Sequence, residues 1–263
     1  MKPSLTIIKV GGAVVEDEAQ LTQLLRDFTA IQGPKILVHG GGRRATKIAE
    51  RLGIETKMVD GRRITDAEML EVVTMVYGGL VNKNVVARLQ ALGCDAIGLT
   101  GADANILLSQ KRPLKMVNGE PVDYGFVGDV KQASGAKLSH FIDANLIPVV
   151  APLTHDGQGH MLNTNADTMA SETAKAMAAI GYDVTLIYAF EKPGVLRDAD
   201  DDSSVIATIN HADFEAYKAD GTISGGMLPK IENALAAIDA GVQRVIITKA
   251  TAIDGQHGTV ITE

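Results

Sequence analysis

The sequence predicts a protein of the α/β class, in which helices cover a largely parallel sheet. Residues 5–10 form a mostly apolar segment that ends in a glycine pair, and residues 35–39 form a second one that ends in three glycines. Each glycine turn is followed by residues whose apolar side chains recur at helical spacing. Because strand, glycine turn and helix occur twice in the first fifty residues, we expect parallel strands with helices as crossovers.

The rest of the chain continues this alternation. Apolar periodicity and turn residues predict where each element begins and ends. The predicted helices are residues 17–30, 66–92, 136–144, 166–180 and 228–240, with a further one that stops at Gly53. The predicted strands are residues 96–99, 146–151, 184–189, 244–248 and 259–262, with a hairpin turn at Asn118 and Gly119.

Composition excludes several classes of protein. Of the 263 residues 46% are hydrophobic, and 25 Lys plus Arg against 32 Asp plus Glu give a net charge of −7. A hydrophobic content near the globular average excludes a disordered chain, and the negative charge argues against a nucleic-acid or anionic-membrane partner. The sequence has no apolar run of membrane-helix length, no signal-peptide features in its first fifteen residues and a single cysteine, Cys94. We therefore expect a cytoplasmic protein.

Lys9 and Lys230 are basic residues in positions that favour an anionic ligand. Lys9 lies inside the first strand, just ahead of Gly11 and Gly12, whose backbone N–H groups could cradle a phosphoryl group beside it. Lys230 lies in the first turn of the last predicted helix, where the helix dipole favours anions over cations. An edge-strand position for Lys9 and a solvated surface position for Lys230 are the alternatives.

Residues 40–45, Gly-Gly-Gly-Arg-Arg-Ala, are a second candidate anion cradle. They also fit the G-x-G-x-x-A fingerprint of dinucleotide-binding proteins, because they follow a strand, open a helix and have Asp60 twenty residues on. A dinucleotide-dependent oxidoreductase is therefore an alternative. Against it, the second strand would be only residues 58–59, and two arginines at 62–63 follow the supposed ribose-binding acid.

The segment Asn163-Thr164-Asn165-Ala166-Asp167 precedes an apolar helix. Asn165 or Asp167 can cap that helix, because a short polar side chain accepts bonds from its first free N–H groups. The same segment can present a carboxylate and amides at the carboxyl edge of a parallel sheet, where ligands of α/β proteins bind. Capping and ligand binding are compatible here.

Other polar clusters favour structural roles. His155, Asp156 and His160 flank a glycine turn without metal-ligand spacing, so a polar hairpin is expected. The acidic residues at 198–202 lack the glycine and terminal glutamate of an EF-hand loop. The sequence contains no Walker A, G-x-S-x-G or C-x-x-C motif, which removes the P-loop and serine-hydrolase interpretations.

Five motifs together resemble the amino acid kinase family. They occur in the family's order and span nearly the whole chain: Ile8-Lys9-Val10-Gly11-Gly12, Val38-His39-Gly40-Gly41-Gly42, Asp60-Gly61-Arg62-Arg63-Ile64-Thr65, Asn163-Thr164-Asn165-Ala166-Asp167 and Ser224-Gly225-Gly226-Met227-Leu228-Pro229-Lys230. The resemblance implies a three-layer αβα sandwich around a mainly parallel sheet of about eight strands. It also implies two lobes, with residues 1–180 binding the amino-acid substrate and forming a dimer, and residues 181–263 binding ATP.

The resemblance also implies a role for each motif residue. Lys9 and Lys230 would stabilise the phosphoryl group in flight, and Asp167 would hold their two ammonium groups. Gly11 and Gly41 would donate backbone N–H bonds to the transferring group. The substrate would be bound by Gly41, Gly42, Arg63 and Asn163. The nucleotide would be bound by Gly12, Gly194, Val195, Leu196, Thr222, Ile223 and Ser224.

The reaction that the resemblance implies is transfer of a phosphoryl group from ATP to the γ-carboxylate of an N-acylated glutamate, in arginine biosynthesis. N-acetyl-L-glutamate, giving N-acetyl-L-glutamyl 5-phosphate, is the first expectation, and N-succinyl-L-glutamate is the alternative. Mg²⁺ would accompany ATP, held mainly by the nucleotide, without a dedicated protein ligand or a tightly bound cofactor. A non-catalytic nucleotide-binding sensor is an alternative from another class, although binding alone would not need both lysines.

The sequence departs from the usual family pattern in three places. Residues 190–196, Phe-Glu-Lys-Pro-Gly-Val-Leu, replace a common T-D-V-P-G-V-L, so nucleotide contacts at Glu191 and Lys192 are not assigned. Residues 101–105, Gly-Ala-Asp-Ala-Asn, replace a common S-G-K-D-G and remove a lysine. Lys9 comes only eight residues after the start, without the extra helix of arginine-inhibited hexameric relatives. We therefore expect a homodimer that arginine does not inhibit.

Overall fold

The computed structural model describes residues 2–59, 61–117 and 119–263. In chain order, the strands of these residues are β1 (Ser4–Val10), β2 (Lys35–His39), β3 (Met58–Val59), β4 (Arg62–Arg63), β5 (Ala96–Leu99), β6 (Leu107–Lys111), β7 (Lys115–Val117), β8 (Glu120–Val122), β9 (Gly128–Ala133), β10 (Ile147–Val150), β11 (Leu153–His155), β12 (Met161–Asn163), β13 (Asp183–Phe190), β14 (Thr208–Ile209), β15 (Arg244–Lys249) and β16 (Thr259–Ile261). Their α-helices are α1 (Gly12–Glu16), α2 (Glu18–Ala30), α3 (Gly42–Arg51), α4 (Ala67–Val73), α5 (Asn82–Ala91), α6 (Gly135–Asp143), α7 (Ala166–Ala179), α8 (His211–Ala219) and α9 (Met227–Asp239). In these ranges no helix combines the length and the hydropathy needed to span a bilayer.

The main sheet has eight strands in the order β14-β16-β15-β13-β1-β2-β10-β5. Its six strands from β15 to β5 are all parallel, and β16 runs antiparallel to β15. Every residue of β2 is buried, as expected of a parallel strand covered on both faces. The predicted, mainly parallel sheet of about eight strands is therefore confirmed.

Helices cover both faces of this sheet. Ile7 and Ile8 are successive residues of β1, so their side chains point to opposite faces. Ile7 packs in an apolar cluster with residues of α7 and α9, whereas Ile8 packs in a second cluster with residues of α2, α4 and α5. This arrangement confirms the predicted three-layer αβα sandwich.

The smaller sheets were only partly expected from the sequence. A four-stranded sheet has the order β12-β11-β6-β9, and its β11–β12 hairpin is the polar hairpin predicted around His155 and His160. The predicted second hairpin is formed by β7 and β8, although Asn118 lies outside the described residues. The strands β3 and β4 form a separate two-stranded hairpin.

That β3–β4 hairpin removes the dinucleotide interpretation. A dinucleotide fingerprint needs a second parallel strand after its helix, within one βαβ unit. Here Met58 and Val59 pair antiparallel with Arg63 and Arg62, outside the main sheet. The oxidoreductase alternative is therefore wrong, and its supposed ribose-binding acid, Asp60, lies outside the described residues.

The predicted helix at residues 66–92 is continuous but not uniform. It begins at α4, capped by the Asp66 side chain, and ends with α5, and the turns between them are a π-helix over Thr74–Val81. A π-helical turn widens the helix and is common next to functional sites. Here it brings Tyr77 against the glycine loop after β2, where a Cβ on Gly41 would lie 2.8 Å from the Tyr77 ring.

Ala104, in the loop after β5, has a strained backbone conformation, from which we predict an effect on stability. Ala104 is exposed and has φ 51° and ψ 14°, in the left-handed region that alanine disfavours. We expect Ala104→Gly to raise the free energy of unfolding by about 1 kcal/mol, because glycine adopts this conformation without steric cost.

Urea denaturation of both proteins measures this change. Ala102, in the same loop, has φ −74° and ψ −31°, which alanine adopts readily. Ala102→Gly is therefore the matched control and should lower stability by about 0.5 to 1 kcal/mol. A fall in stability for both variants would contradict the strain at Ala104.

Candidate active site

Two lysines meet on one carboxylate at the carboxyl edge of the main sheet. Lys9 Nζ lies 2.8 Å from Asp167 Oδ1, and Lys230 Nζ lies 3.0 Å from Asp167 Oδ2. Both lysine residues are only 8% exposed. The edge-strand interpretation of Lys9 and the surface interpretation of Lys230 are therefore wrong. Asp167 follows Lys9 by 158 positions and Lys230 follows Asp167 by 63, so the cluster joins three distant parts of the chain.

Three different elements deliver these side chains. Lys9 is the penultimate residue of β1, a central strand between β13 and β2. Asp167 lies in the first turn of α7, where the Asn165 side chain accepts the N–H bonds of Asp167 and Thr168 at 2.8 and 3.1 Å. Lys230 lies in the first turn of α9. The expected cap by Asn165 is therefore present, and it fixes the start of the helix that carries the carboxylate.

The charged groups of this cluster shift the pKa values of Asp167 and Lys230. Burial alone would raise the pKa of Asp167, but the ammonium groups of Lys9 and Lys230 outweigh burial and hold that pKa well below its ordinary value. Burial, followed by repulsion from Lys9, lowers the pKa of Lys230, while Asp167 opposes this shift. Two ammonium groups share one carboxylate, so the cluster has an excess of positive charge that suits an anionic ligand.

Two aromatic rings face Lys230. Its Nζ lies 5.2 Å from the centre of the Tyr188 ring and 5.7 Å from that of Phe190. Rings at this distance attract a cation through their negative faces without accepting its N–H bonds in the manner of a carboxylate. Sequence reasoning missed this pair, although Tyr188 and Phe190 are two residues apart in β13 and therefore share one face of the strand.

The two glycine loops, which follow β1 and β2, contact each other. A Cβ on Gly12 would lie 3.5 Å from the backbone nitrogens of Gly41 and Gly42, and a Cβ on Gly40 would lie 3.0 Å from that of Gly12. The N–H groups of Gly12 and Gly42 are the first of α1 and α3, so they have no acceptor within their own helices. The loops therefore gather backbone donors at one point, as the sequence led us to expect.

Gly11 was expected to donate its backbone N–H to the transferring group, but in the structure this N–H already has an acceptor. Its N–H donates to the Ala189 carbonyl oxygen at 3.0 Å, which extends the pairing of β1 with β13. That N–H is therefore not available to a phosphoryl oxygen while this bond exists. The neighbouring N–H of Gly12 has no acceptor within its own helix, so Gly12 is the candidate donor of the first loop.

A cavity of about 190 Å³ opens next to the second glycine loop. It is lined by Gly40, Gly41, Gly42, Met58, Gly61, Arg62, Arg63, Tyr77, Val127, Pro152, Asn163, Thr164, Asn165 and Ala166. The four residues that the resemblance assigned to the substrate, Gly41, Gly42, Arg63 and Asn163, all belong to this lining.

Arg63 is the buried cation of this cavity. Its Nη2 donates to Gly42 O and to Thr46 Oγ1, both at 2.9 Å, and its Nη1 donates to Thr56 Oγ1 at 3.2 Å. Among the residues that the structure describes, no carboxylate lies within 4.0 Å of its guanidinium. The neutral acceptors therefore orient Arg63 and leave its charge to be balanced by a ligand, for which a carboxylate is suited.

Asn163 and Arg62 complete the polar lining of the cavity. The Asn163 side chain donates to Thr65 Oγ1 at 2.9 Å, and its backbone N–H donates to Phe126 O at 2.8 Å, so it is held from two sides. Arg62 was not among the expected site residues, but it lines the cavity from the separate β3–β4 hairpin.

The expected nucleotide-binding residues fall into two groups. Val195 and Ile223 are buried in the apolar core, and the Val195 N–H donates to Thr259 Oγ1 at 2.8 Å, so their side chains face away from solvent. Gly194 is also buried, and a Cβ there would lie 2.8 Å from Val205 and 2.9 Å from Thr259. The other members, Gly12, Leu196, Thr222 and Ser224, are at least partly exposed.

Glu191 and Lys192, which differ from the residues common in the family, each form an ion pair. Glu191 forms an exposed ion pair with Arg43, at 3.2 Å, which joins the loop after β13 to the start of α3. Lys192 Nζ lies 2.9 Å from Asp202 and donates to the Ala199 carbonyl oxygen. Lys192 therefore points into the acidic loop.

The fold and the cluster together define a class of phosphate-handling enzyme: an α/β sandwich that gathers two lysines and several backbone donors at the carboxyl edge of its sheet. The amino acid kinase family model matches residues 4–249, so the chain belongs to the amino acid kinase family and is a kinase.

Known proteins support this assignment over the whole chain. The chain is 65% identical over 261 residues to a Bacteroides fragilis protein named acetylglutamate kinase, covering 99% of this chain and 98% of the relative. A crystal structure of the Streptococcus mutans protein smu.665 superimposes with a TM-score of 0.79 at 28% identity, covering 98% of each chain. Giardia lamblia carbamate kinase bound to AMP-PNP, at 14% identity, shares the fold alone, with a TM-score of 0.68 over 99% of each chain.

Proposed function

We propose that the chain phosphorylates the γ-carboxylate of N-acetyl-L-glutamate with ATP, giving N-acetyl-L-glutamyl 5-phosphate, in arginine biosynthesis. The observation that carries this proposal is the meeting of Lys9 and Lys230 on Asp167, beside a cavity whose buried Arg63 lacks a carboxylate partner among the described residues. The relatives that carry the name acetylglutamate kinase support the identity of the substrate.

The reaction needs electrostatic help more than it needs a base. A γ-carboxylate has a pKa of about 4.3, so at neutral pH it is already ionised and nucleophilic. One of its oxygens forms a bond to the γ-phosphorus of ATP while the bond from that phosphorus to the β–γ bridging oxygen breaks, and ADP leaves with the electron pair. The obstacle is repulsion between two anions, which fixed cations and backbone dipoles reduce.

The two lysines would reduce this repulsion by stabilising negative charge on the phosphoryl group and on the leaving diphosphate. Lys9 would contact the phosphoryl group in flight, and Lys230, closer to the ATP-binding segments, would stabilise the leaving diphosphate. Asp167 would keep the two ammonium groups together and oriented before the substrates arrive, so that little reorganisation is needed at the moment of transfer. This role for Asp167 is supported by its two ion pairs and by the lowered pKa that keeps it ionised.

Backbone donors and the cavity would position the amino-acid substrate. The N–H groups of Gly12, Gly41 and Gly42 would bond to the transferring phosphoryl group and to the attacking carboxylate. Arg63 would hold the α-carboxylate through its planar fork, and Asn163 would bond to the substrate beside it. The support for these roles is the shared cavity that Gly41, Gly42, Arg63 and Asn163 line.

ATP would bind over the carboxyl-terminal part of the chain. We propose a substrate-binding and dimer-forming lobe at residues 1–180 and an ATP-binding lobe at residues 181–263. The partly exposed residues Leu196, Thr222 and Ser224 would contact the nucleotide beside Gly194. Val195 and Ile223 would support this surface from within, since both are buried and their N–H groups already donate to Thr259 Oγ1 and to the Tyr217 carbonyl oxygen. Exposed apolar side chains at Met75 and Leu80, on one helical segment, support the proposal that the chain forms a homodimer. We also propose that the enzyme is cytoplasmic.

The residues present do not form a cage for Mg²⁺. In the described part of the chain no three His, Cys, Asp or Glu side chains are grouped to hold a metal ion, and Asp167 is already paired with two ammonium groups. We therefore propose that Mg²⁺ arrives with ATP and is held by the phosphates of the nucleotide.

Arg63 gives a prediction about substrate affinity. Arg63→Lys should raise the KM for N-acetylglutamate about 10- to 100-fold, because an ammonium cannot reproduce bonds from both ends of a planar fork. The kcat should fall much less, since the lost contact is present before and during transfer. Steady-state kinetics measures both constants, and Arg44→Lys, at an exposed arginine of α3, should change neither. A normal KM in Arg63→Lys would exclude Arg63 from the substrate site.

One observation favours a second candidate substrate. Arg62 lines the same cavity, and no carboxylate of the described residues lies within 4.0 Å of its guanidinium. Burial, followed by repulsion from Arg112, lowers the pKa of Arg62. An N-succinyl group would bring one more carboxylate into this cavity than an N-acetyl group does, so N-succinyl-L-glutamate is the alternative.

A hydroxamate-trapping assay of acyl-phosphate formation tests the proposed function. It is run with ATP and, side by side, N-acetylglutamate, N-succinylglutamate and free glutamate. We expect an acyl phosphate from an N-acylated glutamate and a much slower reaction with free glutamate. ATP-dependent product from N-succinylglutamate at a far higher kcat/KM would establish the alternative. No acyl phosphate from either compound would contradict the proposal and favour a nucleotide-binding sensor.

A further inference from the structure

We infer that His39, together with Asn82, positions the backbone N–H of Gly41 for phosphoryl transfer. This inference rests on the proposed function. His39 is the last residue of β2, directly before the second glycine loop, and it is fully buried. Its Nδ1 lies 2.8 Å from the Gly40 carbonyl oxygen, and its Nε2 lies 3.1 Å from Nδ2 of the buried Asn82.

The partners of the imidazole fix its protonation state. A carbonyl oxygen only accepts hydrogen bonds, so Nδ1 carries the proton and donates it to Gly40. The Asn82 amide nitrogen only donates, to the Val149 carbonyl oxygen at 2.9 Å and to Nε2, which therefore accepts. Burial lowers the pKa of His39 to about 4, so the ring is neutral at pH 7 and does not serve as an acid or a base there.

The bond from His39 determines where the next N–H points. The peptide unit between Gly40 and Gly41 is planar and trans, so its C=O and its N–H point in opposite directions. Because His39 holds the C=O of Gly40 toward the protein interior, the N–H of Gly41 is directed away from the interior. That N–H belongs to the loop that faces Gly12 and lines the substrate cavity.

Asn82 ties this loop to the rest of the fold. It is the first residue of α5, and its amide also lies 3.2 Å from Lys83 Nζ and 2.9 Å from the β10 backbone. The loop orientation is therefore set by a buried chain of hydrogen bonds that reaches from α5 and β10 to Gly40. His39 touches neither the substrate nor the reacting atoms in this scheme, so it is a positioning residue.

Two variants at this position separate positioning from packing. In His39→Leu the Gly40 carbonyl oxygen loses its donor, whereas in His39→Asn the amide Nδ2 can take the place of imidazole Nδ1. We expect kcat to fall about 100-fold in His39→Leu, as for a small misplacement of a catalytic donor, with KM values within about threefold of wild type. His39→Asn should recover most of the lost kcat.

A second measurement judges the inference independently of activity. In crystal structures of the unliganded variants, the peptide between Gly40 and Gly41 should be rotated or disordered in His39→Leu and should keep its wild-type orientation in His39→Asn. Equal loss of kcat in both variants, wild-type kcat in His39→Leu, or an unchanged Gly40–Gly41 peptide in His39→Leu would overturn the inference. If the wild-type protein phosphorylated no N-acylglutamate, the proposed function would fail, and the orientation of this peptide alone would decide the role of His39.

Discussion

Replacing Lys9 or Lys230 with methionine should lower kcat about 10²- to 10³-fold, with a much smaller change in the KM for either substrate. The estimate follows the loss of one preorganised donor from a site where negative charge develops. Methionine keeps most of the apolar stem of lysine and removes only the ammonium group. Steady-state kinetics with ATP and N-acetylglutamate measures the effect.

The reason for the split between kcat and KM lies in the charge of the cluster. Before reaction, each ammonium group already has a partner in Asp167, at 2.8 Å for Lys9 and 3.0 Å for Lys230. The additional interaction, with the phosphoryl group between its donor and its acceptor, forms most strongly in the transition state. Interactions that strengthen only there raise kcat without changing the binding of the substrates.

Lys35 provides a matched control for this experiment. It is a buried lysine with the same 8% exposure as Lys9 and Lys230, but its Nζ donates to the carbonyl oxygens of Thr29 and Ile31 at the end of α2. It lies at the amino end of β2, opposite the glycine loop. Lys35→Met should therefore reduce stability and leave kcat near wild type. Near-normal kcat in Lys9→Met or Lys230→Met would contradict the assignment of that lysine.

Replacing Asp167 with asparagine should lower the free energy of unfolding by about 3 kcal/mol at pH 7. The variant leaves two buried ammonium groups facing each other without a carboxylate, which is the costly way to break a buried ion pair. Chemical denaturation measures the loss. The exposed pair of Lys192 with Asp202 supplies the control, because Asp202→Asn should cost at most about 0.5 kcal/mol.

Two further results would identify the cause of that loss. Lys230→Met in the Asp167→Asn background should restore part of the stability, since it removes one of the two repelling charges. Lowering the pH should also narrow the difference between wild type and Asp167→Asn. Because the pKa of Asp167 is lowered, its stabilising charge is complete above the ordinary value of 3.8 and is lost as the pH falls below it. A constant difference down to low pH would contradict this explanation.

The sequence predicted the main sheet well because local patterns encode it. The segments that became β1 and β2 are apolar and end in glycines, and the segment that became α2 has apolar residues at helical spacing. The β11–β12 hairpin was predicted, but the four-stranded sheet was not, since it depends on β6 pairing with β9 and β11, which follow much later in the chain. The helix α8 was also missed, although its capping box at Asn210 and Asp213 was a usable signal.

The candidate site, like the fold, could be predicted from the sequence only where its residues have a local signal. Lys9 and Lys230 could be selected because each contradicts its local surroundings, one in an apolar strand and one at the positive end of a helix. The contacts of Tyr188 and Phe190 with Lys230 join β13 to α9 and have no local signature. Gly11 was assigned a donor role that its bond to Ala189 prevents, because a sequence motif does not specify which N–H groups the sheet uses.

The central claim is that Lys9 and Lys230 act together on one phosphoryl group. A crystal structure of the protein with ADP, aluminium fluoride and N-acetylglutamate tests it most directly, since aluminium fluoride mimics a phosphoryl group in transfer. We predict that both Nζ atoms bond to the fluoride ligands or to the adjoining ADP oxygen, with the γ-carboxylate on the opposite side of the aluminium. A closed complex in which either Nζ points away from the aluminium centre would contradict the claim.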